Sequence, residues 1–115
     1  MKATIYHNPK CSKSRETMKI LETEQIKPDI ILYLKKAMSG NEIRNLLNLL
    51  SCKPHEIIRK KEFSLLGLGI DLLDDNLVIE TIVKHPIVLE RPIVIINNRA
   101  VIGRPPSNVY SIIDK

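Results

Sequence analysis

Ile5-Tyr6-His7-Asn8-Pro9-Lys10-Cys11-Ser12-Lys13-Ser14-Arg15 joins a strand to a helix, with one cysteine at the join. Ala3 to Tyr6 alternates weakly and contains β-branched Thr4 and Ile5, which reads as a strand. From Ser14 to about Thr23, the apolar residues Met18, Ile20 and Leu21 fall on one side of a helix, with charges between them. Asn8, Pro9, Lys10 and Ser12 are loop and cap residues, which argues against a Cys11 enclosed by hydrocarbon. The first N–H groups of a helix have no intrahelical partner, and the helix dipole is positive there. That position favours a thiolate, the reactive form of cysteine. The same N–H groups suit an oxyanion. Ser12 and Ser14 add hydroxyls, and Arg15 adds a fixed positive charge.

Outward from this stretch, Lys27-Pro28-Asp29 breaks the helix. Residues 29–34 hold Ile30, Ile31, Leu32 and Tyr33, an apolar run bounded by turn signals. It reads as a buried strand parallel to the first, so the opening is a βαβ unit. At the other end, residues 91–96 form a strand, Asn97-Asn98-Arg99 a hairpin turn and residues 100–103 the returning strand. Arg104-Pro105-Pro106-Ser107 follows, and residues 109–113 read as a last helix. Helices lie between. Ser39 and Glu42 have capping-box spacing ahead of Ile43, Leu46, Leu47 and Leu50. A second helix begins near Pro54 and carries Ile57, Ile58, Arg59 and Lys60; residues 63–68 are short and helical or irregular. A third runs from Asp74-Asp75-Asn76 to His85-Pro86, with Leu77, Val78, Ile82 and Val83 as its stripe. Leu66-Gly67-Leu68-Gly69 lacks the preceding strand and the third glycine of a dinucleotide fingerprint. The order βαβ, helices, ββα is an α/β, thioredoxin-like arrangement. It predicts one domain over residues 1–115 with a helical insertion at about 39–86. Pro92 falls where such folds place a cis-proline facing the cysteine.

Composition narrows the function. Hydrophobic residues make up 43% of 115 residues, enough for a core of the chain's own. Two cysteines, Cys11 and Cys52, suggest neither a disulfide-built fold nor a zinc site. No apolar run approaches the length of a membrane span, and no signal-peptide apolar region follows Met1. The expectation is a cytoplasmic protein with no membrane partner. The net charge of +5 favours anionic partners. Nucleic acid is disfavoured: there is no Trp and only one Phe, and the basic residues are scattered apart from Arg59-Lys60-Lys61. A small oxyanion uses a few convergent cations equally well.

Tyr6-His7-Asn8-Pro9 before Cys11, Ser14-Arg15 after it, Ile57-Ile58-Arg59, His85-Pro86-Ile87, Glu90-Arg91-Pro92-Ile93-Val94 and Gly103-Arg104-Pro105 occur in that order. Together they resemble the glutaredoxin-linked arsenate reductases of bacteria, from Thr4 to about Ile113. The resemblance implies that Cys11 is the catalytic thiol attacking arsenate, and that Arg59, Arg91 and Arg104 hold the oxyanion. It implies that His7 helps the thiolate form and that Ser14 and Arg15 support the nucleophile. It further implies glutathione as co-substrate, glutaredoxin as partner, no bound cofactor and no metal. Nothing in the chain demands an oligomer, so a monomer is expected. Arginine forks match tetrahedral oxyanions in a bidentate way, and cations near a thiol lower its pKa.

Other readings share the cysteine loop. A low-molecular-weight phosphatase needs C-x5-R, whereas three residues separate Cys11 from Arg15. A glutaredoxin-like oxidoreductase fits the fold and the thiol but leaves the three arginines without a task. A related branch comprises transcription regulators that bind RNA polymerase, often through a C-x-x-C switch. Ser14 stands at that fourth position, which argues against the switch but leaves a regulatory or binding protein of this fold as the alternative.

Overall fold

The computed structural model describes residues 2–113 of the chain. They divide into two compact units, one made of residues up to Tyr33 together with those from Arg91 onward, the other of Leu34–Glu90.

The first unit contains β1 (Ala3–Tyr6), α1 (Ser12–Thr23), β2 (Asp29–Ile31), β3 (Ile93–Ile96) and β4 (Arg99–Ile102). The sheet order is β2-β1-β3-β4. β1 runs parallel to β2, with Ile5 opposite Ile30, and antiparallel to β3, with Ile5 opposite Val94. β3 and β4 form a hairpin, Val94 opposite Val101. Asn97 and Asn98 turn it with φ of 49° and 67°. Asparagine tolerates this left-handed region, which a tight hairpin turn requires. Ile5, Leu21, Ile26, Val94, Ile96, Val109 and Ile112 are buried together beneath the sheet. This is the thioredoxin-like sheet, with β1 and β3 at its centre. Both Arg91-Pro92 and Arg104-Pro105 peptide bonds are cis.

Three expectations need correction here. α1 begins at Ser12, two residues before Ser14, because Cys11 itself is the N-cap. β2 is not a buried strand: it pairs only with β1, and Ile30 is 51% exposed. An apolar run reports strand tendency, while its place at the sheet edge is decided by which neighbours pair. The closing helix is a 3-10 helix over Pro106–Ile112. Pro105 precedes it and Pro106 starts it, and its bonds run from Asn108 N–H to the Pro105 carbonyl and from Ile113 N–H to the Tyr110 carbonyl.

The second unit contains α2 (Gly40–Leu50), α3 (Lys60–Leu66) and α4 (Asp75–Lys84), with 3-10 turns at Pro54–Ile57 and Pro86–Val88. Ser39 caps α2 by accepting the Glu42 N–H at 3.1 Å. Asp74 caps α4 by accepting the Leu77 N–H at 3.2 Å. Buried Ile43, Leu46 and Leu47 of α2 recur at helical spacing, as do Val78, Ile79 and Ile82 of α4, and the two helices pack together. The helix expected to carry Ile57 through Lys60 is interrupted. Ile58 is extended and bridges Leu89 antiparallel, and the Arg59 N–H reaches the Val88 carbonyl at 2.7 Å. Arg59 is therefore the N-cap of α3 rather than a mid-helix residue. Gly67 ends α3 in the left-handed region at φ 61°, so the Gly-x-Gly stretch caps a helix.

Among the described residues, no helix is long and apolar enough to cross a membrane. None of their His, Cys, Asp and Glu side chains gather in threes to hold a metal ion.

Candidate active site

Cys11 stands at the start of α1 with extended backbone, φ −93° and ψ 125°. The loop before it is folded by Asn8. The Asn8 carbonyl accepts the Cys11 N–H at 3.0 Å, and its side-chain oxygen accepts the Lys10 N–H at 3.1 Å. The Cys11 carbonyl in turn accepts the Arg15 N–H at 3.0 Å, the first helical bond. The sulfur is thus delivered to the positive end of a twelve-residue helix.

Two arginines from the far end of the chain meet this sulfur. Arg104 Nη2 lies 3.3 Å from Cys11 Sγ, and Arg104 Nε donates to the Arg91 carbonyl at 2.7 Å. The Arg91 side chain also acts on the sulfur. Partial burial pushes the Cys11 thiol up. The Ser14 N–H, the Arg91 side chain, the Lys13 N–H and the Arg104 charge oppose it and prevail, so the thiol is held below its ordinary value. Cys11 makes no capping hydrogen bond of its own; the helix-start N–H groups serve the sulfur as electrostatic donors. A partly exposed thiol with a lowered pKa, beside guanidinium groups, has the chemistry that suits a nucleophile next to an anion.

His7 and Ser14 form a second group under the loop. His7 Nδ1 is 2.6 Å from Ser14 Oγ, and the Asn8 N–H donates to the same oxygen at 3.1 Å. Ser14 is fully buried. Burial, then the Arg15 charge, lowers the His7 pKa, so the ring is neutral at neutral pH. A neutral ring with its proton on Nε2 accepts the Ser14 hydroxyl proton at Nδ1. His7 therefore reaches Ser14 rather than the sulfur. Arg15 Nη1 donates to the Pro9 carbonyl at 3.0 Å and braces the loop.

Of the residues expected from sequence, Cys11, Arg91 and Arg104 come together, and His7 pairs with Ser14. Arg59 belongs to the second unit, where its Nε lies 2.7 Å from Glu62 and its Nη1 lies 3.4 Å from Glu90. Sequence reasoning missed Asn8, whose loop-type identity signalled a turn but not its three bonds inside the loop. It also missed Thr17 and Gly103. Thr17 is fully buried on α1 and donates to the Lys13 carbonyl at 2.8 Å. A Cβ at Gly103 would lie 2.7 Å from Thr17 Oγ1 and 2.8 Å from Pro92 Cγ. The end of β4 approaches α1 that closely only because the side chain is absent.

The model of the ArsC family matches residues 6–112. An arsenate reductase of Haemophilus influenzae is 41% identical over 116 residues, covering 98% of this chain and 100% of that protein. An uncharacterized protein of Escherichia coli K12, YfgD, is 40% identical over 112 residues, covering 95% and 94%. Among solved structures, an arsenate reductase from Vibrio cholerae aligns with a TM-score of 0.91 at 40% identity, covering 98% of each chain. The matched stretch takes in the cysteine loop, the cis-proline strand and the arginine turn that closes on the sulfur, and the chain belongs to the ArsC family.

Proposed function

We propose that the protein is an arsenate reductase in which the Cys11 thiolate attacks arsenic. The observation that carries the reading is the Arg104 guanidinium 3.3 Å from Cys11 Sγ at the start of α1. Relatives named arsenate reductases, at 41% and 35% identity, support the substrate. In the first step a sulfur–arsenic bond forms and one arsenate oxygen leaves as water after protonation. Arg91 and Arg104 hold the remaining oxygens, with Arg59 as the third guanidinium that the family resemblance assigns. Arsenic then takes two electrons from two thiols, whose sulfurs end joined as a disulfide. Glutathione adds to the arseno-thiolate with loss of a second water. The glutaredoxin thiol then attacks that glutathione sulfur, forming the mixed disulfide and leaving arsenic(III) on Cys11. Water cleaves the Cys11 sulfur–arsenic bond to release arsenite and the free thiol. His7 and Ser14 keep the loop in register, and Arg15 fixes its backbone.

The reading takes both units as parts of one domain, working as a monomer in the cytoplasm. A glutathione-rich compartment keeps Cys11 reduced and supplies the co-substrate. The test is a coupled assay with glutathione, glutaredoxin and NADPH. Arsenate-dependent NADPH loss is expected in wild type and none in Cys11→Ser. No loss in wild type would sink the enzyme claim and leave a thiol-bearing regulatory or binding protein of this fold. Full activity in Cys11→Ser would remove the assigned nucleophile.

A further inference from the structure

We propose that Asn108 is a positioning residue for Arg104, holding the turn that brings its guanidinium onto the Cys11 sulfur. The Asn108 side-chain amide donates from Nδ2 to two backbone carbonyls, Ile102 at 3.1 Å and Arg104 at 3.0 Å. These carbonyls bracket Gly103. The Arg104 N–H also reaches the Ile102 carbonyl at 2.9 Å, closing a γ-turn about Gly103, and the Gly103 N–H reaches the Pro92 carbonyl at 2.8 Å. The chain leaves β4 through this turn and enters the cis Arg104-Pro105 bond. The direction of the Arg104 side chain is therefore set by the backbone at residues 102–105.

Among short uncharged side chains, only an amide NH2 has two donors to give to two carbonyls. A hydroxyl supplies one donor and a carboxylate none. Asn108 is itself placed by the 3-10 turn, through its N–H to the Pro105 carbonyl at 3.0 Å and its carbonyl accepting the Ser111 hydroxyl at 2.8 Å. Both ends of the tie are thereby fixed. The Asn108 amide bonds to backbone and not to the sulfur, so its influence on Cys11 passes through Arg104. The other groups acting on the sulfur, namely the Ser14 and Lys13 N–H groups and the Arg91 side chain, reach it independently of the Asn108 amide.

The experiment follows Cys11 alkylation by iodoacetamide against pH in a Cys52→Ser background, so that one thiol reports. It needs no arsenate, so its outcome is separate from that of the reductase assay. Asn108→Leu, branched at the same carbon and lacking donors, is expected to raise the inflection by about half a pH unit, roughly a threefold loss of thiolate below it. Arg104→Ala is expected to raise it as well. In the Arg104→Ala background, Asn108→Leu is expected to add nothing. Asn108→Ser keeps one donor and is expected to shift the inflection less, which gives a readout if the leucine variant does not fold. An unmoved inflection in a folded variant overturns the proposal. So does a shift of equal size with and without Arg104.

Discussion

At Cys11 the chain places two sources of positive potential on one sulfur, the first N–H groups of α1 and the guanidiniums of Arg91 and Arg104. Their combined effect outweighs the cost of partial burial, so alkylation of Cys11 should inflect below the value of a free thiol. Wild-type alkylation against pH checks this, and an inflection at the free-thiol value would contradict the electrostatic account. His7 carries a prediction of opposite chemical sense. Burial and Arg15 hold its pKa below the ordinary value, so the unfolded chain takes up a proton where the folded chain does not. Stability is thus lost as pH falls below the ordinary histidine value, and the loss levels off once the lower folded value is passed. Urea midpoints at pH 7 and pH 5 should show this decline shrinking in His7→Gln. An equal decline in both proteins would mean that His7 titrates alike folded and unfolded. The residue types around Cys11 were legible from their neighbours in sequence. That Ser14 is wholly buried and faces His7 was not, because helical spacing alone does not report which loop lies over a first turn.

Among the elements, β4 and α1 meet at Gly103 and Thr17. Gly103→Ala forces a Cβ to 2.7 Å from Thr17 Oγ1 and 2.8 Å from Pro92, against two groups that are themselves packed. A loss of about 1–3 kcal/mol in denaturant unfolding is expected, the usual cost of overpacking a core. The hairpin turn gives a second check. Asn98 has φ 67°, so Asn98→Val should cost about 1–2 kcal/mol while Asn98→Gly stays near neutral, again read by denaturant unfolding. Caps and turns of this kind were readable in advance. Ser39, Asp74 and the Asn97-Asn98 pair each act through bonds or dihedrals spanning a few residues. The break after Ile57 was not readable, because Ile58 takes its bridge partner from Leu89, far along the chain. The 3-10 character of Pro106–Ile112 was missed for a related reason. Apolar spacing over a few residues does not separate bonds three residues apart from bonds four apart.

For the whole molecule, the net charge of +5 draws anions, but a few guanidiniums select among them. Arg59 sits between Glu62 and Glu90, both partly buried, which fixes its side chain within the second unit. In the proposed reaction it contributes a charge-assisted hydrogen bond, worth roughly 1.5–3 kcal/mol. Arg59→Ala should therefore raise the KM for arsenate by about tenfold or more in the coupled assay. An unchanged KM would remove Arg59 from substrate binding and leave it as an ion-pair residue of its own unit.

From the sequence alone came the strand–loop–helix carrying Cys11, the asparagine turn, the helix caps and the order of elements, because each is governed by steric and hydrogen-bonding choices among near neighbours. Tertiary structure decided that β2 lies at an edge and that Arg104 closes on a sulfur 93 residues away. Strand pairing and side-chain convergence of that kind depend on where remote backbone segments settle, and a linear pattern of residue types does not encode those distances.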